Sequence, residues 1–309
     1  MNRLGNNTKA ISTLYVAAAY IVWGFLPLYW KKLNGIPSEE ILGHRVLWSF
    51  AFILLLAVNG RRLKKVYSIL KDKRSVFIVF SASVLISINW GTYIWAVNSN
   101  RMVEASMGYY INPLMVVLLG MLILKEKLTA LQYAALGFAA AGVCYIAISF
   151  GKVPYVALIL ASSFAVYGLM KKQLSADALE GMLLETAFIA PIAFIYIMFK
   201  EISGAGALLN SGALTVIMLL LSGAATATPL LWFARGAKGV ELSTIGFLQY
   251  IAPSISLVLG ILVFNESFTN AHKISFGMIW LGLLLFALSK TLFSSNIKAG
   301  NAKTASDCD

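Results

Sequence analysis

Ten stretches of about twenty mostly apolar residues, each long enough to cross a bilayer, take up most of this chain. They lie at 11–30, 40–58, 75–97, 104–124, 130–149, 153–171, 181–199, 213–234, 241–264 and 273–293. Of the 309 residues, 59% are hydrophobic and 12% charged, against about 25% charged in soluble domains. A single aqueous core cannot hide that much apolar surface, whereas lipid solvates it. Inside lipid every backbone polar group needs an internal partner, which leaves helices or a closed barrel, and runs of this length give helices. The expected fold class is therefore an all-α integral membrane protein with ten transmembrane helices. Arg3 and Lys9 before an apolar stretch imitate a signal peptide, but the stretch continues from Ile11 to Tyr29 and reads as the first span.

The formal net charge is +12. Its placement argues for membrane orientation rather than nucleic acid. If the N-terminus is cytoplasmic, the inner segments hold Arg3 and Lys9, the cluster from Arg61 to Arg74, Lys125 and Lys127, Lys171 and Lys172, Arg235 and Lys238, and Lys290, Lys298 and Lys303. The outer segments hold only Lys31, Lys32, Arg101, Lys152, Lys200 and Lys273, and the one basic residue left over is Arg45, within the second span. Positive residues stay inside, so both ends are expected in the cytoplasm of a multi-pass protein of the cell membrane. The basic segment 59–74 reads as an amphipathic loop against anionic lipid. Cys144, in an apolar run, and Cys308, in the polar tail, have no pairing or metal-ligand spacing.

The fourth and fifth spans return as the ninth and tenth. Pro113, Gly120, Glu126, Thr129, Gly137 and Gly142 match Pro253, Gly260, Glu266, Thr269, Gly277 and Gly282 at a constant offset, and Glu104 and Ser106 match Glu241 and Ser243 upstream. Shared apolar composition would not align Pro, Glu and Thr. With five spans per copy the second must enter from the opposite side, giving an inverted repeat of the kind secondary transporters use. The expected units are 1–150, 151–295 and a disordered cytoplasmic tail at 296–309, with Gly151 and Pro154 marking the break.

Several segments resemble one family. Asn89-Trp90-Gly-Thr-Tyr93-Ile-Trp95-Ala-Val-Asn98 and Glu104-Ala-Ser-Met-Gly-Tyr109-Tyr110-Ile-Asn112-Pro113 resemble the RarD-type permeases, in the EamA group of the drug/metabolite transporter superfamily. Trp23 to Lys31, Glu40 to Ser49 and Leu248 to Pro253 fit the same pattern. The resemblance spans nearly the whole chain and implies two inverted five-helix EamA repeats with both termini inside. Trp23, from the first of these segments, is a candidate cavity residue.

Polar groups inside a membrane are expensive and usually face the bundle or a watery cavity. Glu40, His44 and Trp48 are spaced to share one face of the second helix. His44 is either structural or a site for a coupling proton. Arg45 either meets an anionic or zwitterionic solute with its forked donors, or pairs with Glu40 or Glu104 and reaches for the outer surface. Asn89 and Tyr93 are candidates to line a cavity, while Trp95 suits the interfacial belt. Tyr110 and Asn112 before Pro113 correspond to Gln249 and Tyr250 before Pro253. Proline frees a carbonyl one turn back, and paired interrupted helices point to a transporter's site. Tyr167, Thr226 and Thr228 complete the candidates. Glu126 and Glu266 are expected to hold turns, with Thr129 and Gln132 as a capping box. Gly137, Ala140, Ala141, Gly142, Gly277 and Gly282 are expected to bring helices close, within one chain or across a homodimer.

No phosphate loop, dinucleotide fingerprint or metalloprotease motif appears, and two histidines cannot supply a convergent catalytic set. The expectation is a transporter of a small organic metabolite or drug-like solute, without cofactor. Its partners are that solute, membrane lipid and no nucleic acid. A non-transporting receptor or assembly factor is the alternative.

Overall fold

The computed structural model describes residues 2–306 except 124, 126, 175, 238, 241–243 and 246–247, and side chains from residue 10 to 289 save 172. Glu126, Glu241, Ser243 and Cys308 lie outside the described residues. The structure is helical throughout, at 84% helix. In chain order the helices are α1 (Asn2–Lys31), α2 (Ser38–Asn59), α3 (Leu63–Leu70), α4 (Lys73–Asn98), α5 (Met102–Ile123), α6 (Ala130–Phe150), α7 (Tyr155–Lys172), α8 (Ala178–Ile202), α9 (Ala207–Asn210), α10 (Ala213–Ala237), α11 (Ile251–Leu262) and α12 (Asn270–Ser306).

Eight of these, α1, α2, α4, α5, α6, α8, α10 and α12, are long and apolar enough to cross a membrane, and α7 and α11 are shorter apolar helices. Of the ninth span expected at 241–264, Thr244, Ile245 and Leu248 are helical and an unbroken helix runs from Ile251 to Leu262. One correction concerns a polar segment. Residues 63–70 form a helix rather than a loop, because Val66 and Ile69 turn inward while its lysines face out. The last helix runs to Ser306, through most of the segment expected as the tail. Once a helix exists each added residue gains a bond at small entropic cost, and this segment offers Ala and Lys, both good helix formers.

Local chemistry sets the boundaries. Asp72 caps α4 by accepting from the backbone N–H of Arg74 and Ser75, and these bonds with the Ser75 hydroxyl hold its carboxyl below the usual range. Thr129 and Gln132 form the expected capping box at the start of α6. Gly151 ends α6 with φ +62°, a conformation glycine takes without strain, and α7 begins after Pro154.

Several long-range pairs run antiparallel. Gly43 near the start of α2 lies against Tyr196 and Ile197 near the end of α8, while Ile53 and Ala57 cluster with Met182, Leu183 and Leu184 near its beginning. Gly142 of α6 rests on Ser275 and Ile279 of α12, and Gly282 rests on Ala135. Gly260 of α11 abuts Met102 at the start of α5. The expected small face divides here. A Cβ on Gly142 or Gly282 would come within 2.8 or 2.7 Å of the partner backbone, but Gly137 and Gly277 have nothing within 4 Å. Of these four glycines, the counterparts Gly142 and Gly282 therefore serve helix contact within the chain and Gly137 and Gly277 do not.

The connections gather at two ends. At the first end, Lys31 Nζ donates to the Val97 carbonyl (3.1 Å) and Asn100 Oδ1 (2.6 Å), and Glu104 accepts from the Val156 N–H (3.0 Å). Glu40 accepts from the Ala207 N–H (2.6 Å), and Glu266 from Met102 and Val103 (2.6 and 2.8 Å). Glu266 is structural, as expected, but it holds the start of α5 rather than its own turn. At the other end Arg62 meets Asp177 and Glu180 at 3.3 and 3.1 Å, Lys65 meets Asp177 at 3.1 Å, and Gly236 and Gly239 pack on Ser12.

Candidate functional site

Arg45 sits two turns into α2 and is 6% exposed. Its guanidinium lies over the rings of Trp90 (4.2 Å) and Trp30 (5.0 Å), with the hydroxyls of Tyr93 and Tyr109 within electrostatic reach. The expected alternative, pairing with Glu40 or Glu104, is not what forms. Glu104 pairs instead with Arg101 at 3.6 Å, and Glu40 with Lys200 at 3.8 Å. Arg45 Nε and Nη1 are buried with no hydrogen-bond partner, and so is the Trp30 indole N–H. The two aromatic faces attract a desolvated cation, but a ring face does not take the place of a missing hydrogen-bond acceptor. Donors are thus concentrated here without anything to receive them.

One residue away, the expected face of α2 forms. The Trp48 indole N–H donates to His44 Nδ1 (3.2 Å), and His44 is fully buried with Nε2 unpartnered. Glu40, His44 and Glu201 bring a carboxylate oxygen, a ring nitrogen and a second carboxylate oxygen within 4.8 Å of one another. Glu201 also accepts from the Leu208 and Leu209 N–H groups (2.8 and 3.2 Å), so Glu40 and Glu201 together cap α9.

The other candidates are distributed. Asn89 is buried, donates to the Leu160 carbonyl and Ser163 Oγ (both 3.0 Å) and accepts from Tyr109 (3.3 Å). That makes it a tie between α4 and α7. Tyr93 packs edge-on against Tyr109 at 5.7 Å. The Tyr110 hydroxyl shares a hydrogen bond with Ser254 (2.5 Å), and its ring stacks on Tyr250 at 6.0 Å. Gln249 and Tyr250 form the turn before α11. Asn112 Oδ1 is buried and unpartnered. Trp23 packs with Tyr20 and Phe233 and lies against the core cluster that holds Trp30 and Tyr93. Thr226 bonds to its own helix at Ser222. Trp95 is 38% exposed beside Tyr155 and Arg101, as a belt residue should be.

Tyr167 belongs to a group that sequence reasoning missed. Its hydroxyl donates to Glu185 Oε2 (3.0 Å), and Lys171 Nζ meets Glu185 Oε1 (2.7 Å). Glu185 is 4% exposed and seven residues into α8, inside a predicted span. Its carboxylate within an apolar run was the available signal. Trp30 and Glu201 were also missed, since helix spacing cannot relate residues on different helices. Glu185→Ala strands Lys171 and should cost about 1–3 kcal/mol, discounted for the partial exposure of Lys171. Lys171→Met with Glu185→Leu should recover at least half of the lost thermal midpoint in detergent.

Two cavities, of about 500 and 430 Å³, open at the first end around Arg101, Glu104 and His272. The first reaches Phe150 and Tyr155, and the second Asn265 and Glu266. Neither is lined by Arg45.

Comparison with known proteins agrees with this architecture. Residues 10–148 match the EamA-like transporter family. The chain is 48% identical to "Uncharacterized transporter YojE" of Bacillus subtilis (strain 168), over 90% of this chain and 93% of that one. It is 40% identical to "Protein RarD" of Salmonella typhi over 89% of this chain and 94% of the relative. A crystal structure at 17% identity shares the fold, with a TM-score of 0.55 over 90% of this chain and 97% of that one. With long apolar helices and this identity along nearly its full length, the chain belongs to the RarD-type permeases of the EamA family, membrane transporters of the drug/metabolite transporter superfamily.

Proposed function

We propose that this permease is a secondary transporter whose ten apolar helices form two inverted five-helix halves. They alternate access, across the cell membrane, to an interior site built on Arg45. The observation that carries this reading is the buried guanidinium between Trp30 and Trp90, with Nε and Nη1 lacking acceptors. A transported solute bearing an acidic or zwitterionic group supplies the acceptors, and its apolar part lies on the indole faces. The solute class is a small organic metabolite or drug-like compound.

The inverted arrangement has support from contacts between counterparts. Tyr110 and Tyr250 occupy matching repeat positions and stack on each other. A residue meets its own counterpart only near a two-fold axis, and the antiparallel α2–α8, α5–α11 and α6–α12 pairs suit an axis in the membrane plane. Two connection ends, with Ser12 at the end where Arg62 and Lys65 gather, suit ten crossings with cytoplasmic termini. Pro113 lies inside α5 and Pro253 in the first turn of its counterpart α11, each removing a backbone donor from a helix on which the halves would flex.

Purified protein in liposomes, screened with radiolabelled acidic and zwitterionic metabolites, should give time-dependent uptake that protein-free liposomes lack. Specific binding with no flux across the panel would instead support a receptor.

A further inference from the structure

The polar face beside Arg45 carries a second, smaller site. An indole N–H is only a donor, so the bond from Trp48 makes His44 Nδ1 an acceptor. Neutral imidazole then carries its proton on Nε2. Nδ1 faces Trp48 one turn ahead on α2, and Glu40 stands one turn behind, with a ring nitrogen of His44 and a carboxylate oxygen of Glu40 within 4.8 Å of each other. Nε2 has no hydrogen-bond partner, and Glu40 Oε2 has none either, the Lys200 ammonium standing off at 3.8 Å, while Glu40 Oε1 is engaged by Ala207. His44 is fully buried and Glu40 1% exposed. A donor without an acceptor and an acceptor without a donor therefore share one buried cluster.

A metal ion fits this cluster poorly. The Nε2 lone pair is occupied by hydrogen in that tautomer, and the Lys200 ammonium already stands 3.8 Å from Glu40 Oε2. A proton fits better. We propose that His44 is a proton-binding site: it takes up one proton at Nδ1, becomes an imidazolium paired through Nε2–H with ionised Glu40, and thereby releases the indole of Trp48.

The proton balance is simple. One proton enters from water, Glu40 keeps its charge, and the Trp48 N–H loses its acceptor. The groups that bear on the imidazole are few. On α2 itself Glu40 favours the added charge and Arg45 opposes it. From α8, Glu201 favours it, Lys200 opposes it, and Tyr196 stands beside Glu40. On α4, Tyr93 is within electrostatic reach of Arg45. The only titratable residue of α10, Arg235, sits at its far end against Tyr15, and α9 has none. Half-buried Glu201 and the α9 connection link the site to the first end. Use of this proton to drive transport rests on the transporter reading, but its binding does not.

The chain has two histidines, so His272→Gln leaves His44 as the single reporter. Full-length protein labelled with 15N-histidine in lipid nanodiscs should show hydrogen on Nε2 and a bare Nδ1 near neutral pH. Both nitrogens should become protonated in one step within about pH 4–8, and the Trp48 indole signal should move with it. Glu40→Gln keeps an oxygen for Ala207 but removes the counter-charge, and should shift the midpoint to lower pH by about one unit. Trp48→Phe removes the bond that protonation must break, and should shift it upward by a similar amount. Hydrogen on Nδ1 at neutral pH, no step in that range, or midpoint shifts that fail to take opposite signs would each overturn the proposal. None of these results depends on whether a solute is transported.

Discussion

Arg45→Met is expected to abolish solute uptake while making the protein more resistant to heat. The two effects share one cause. A buried cation without acceptors lowers stability, because the water it gave up is not replaced. The indole faces of Trp30 and Trp90 recover only part of that loss. Methionine keeps the apolar stem and fills similar space, so the folded protein should gain about 1 kcal/mol, read as a higher thermal midpoint in detergent. A transported acid that pairs with the guanidinium loses its main anchor. Removing one member of a buried, hydrogen-bonded charge pair costs about 2–5 kcal/mol, so apparent affinity should fall roughly thirty-fold or more. A residue kept only for packing would lose stability and transport together. A lower midpoint alongside unchanged uptake would remove Arg45 from the site.

Gly223→Ala should act in the opposite way, through assembly alone. Gly223 of α10 lies directly against the α2 backbone, where an added Cβ would overlap the Trp48 carbonyl and the Ser49 amide nitrogen. Neither atom belongs to a flexible side chain, so the two helices would have to separate. Overpacking of this kind typically costs about 1–3 kcal/mol, and backbone on both sides places this case at the upper end. Fluorescence-detected size exclusion should show little monodisperse protein. Gly137→Ala is the matched control, since nothing lies within 4 Å of its Cβ position and alanine favours helix over glycine. It should leave the profile unchanged. Equal behaviour of the two variants would mean that α2 and α10 do not pack at Gly223.

Part of the candidate site could be read along the chain. The spacing of Glu40, His44 and Trp48 predicts one face, and the hydrogen bond from Trp48 to His44 forms on it. The matching prolines lead to the Tyr110–Tyr250 stack. The bonds from Asn89 to Leu160 and Ser163 were not legible, because those partners are on a helix that repeat spacing does not relate to it. Glu185 escaped notice although it interrupts an apolar run, since its Lys171 partner lies in a different predicted span.

Hydropathy and charge add up residue by residue, so sequence alone established an all-helical membrane protein, where its apolar runs lie, and which positions repeat. Partnership between side chains does not add up that way. It depends on how each helix is rotated and which neighbour it meets, and lipid offers no hydrophobic force to fix either. Only the tertiary structure therefore decided that Arg45 has indoles but no acid beside it, and that Glu40 turns to α9. It likewise decided that Gly142 is a contact while Gly137 is not. Close packing at a few backbone-to-backbone crossings set those rotations, and the chemistry of the interior followed from them.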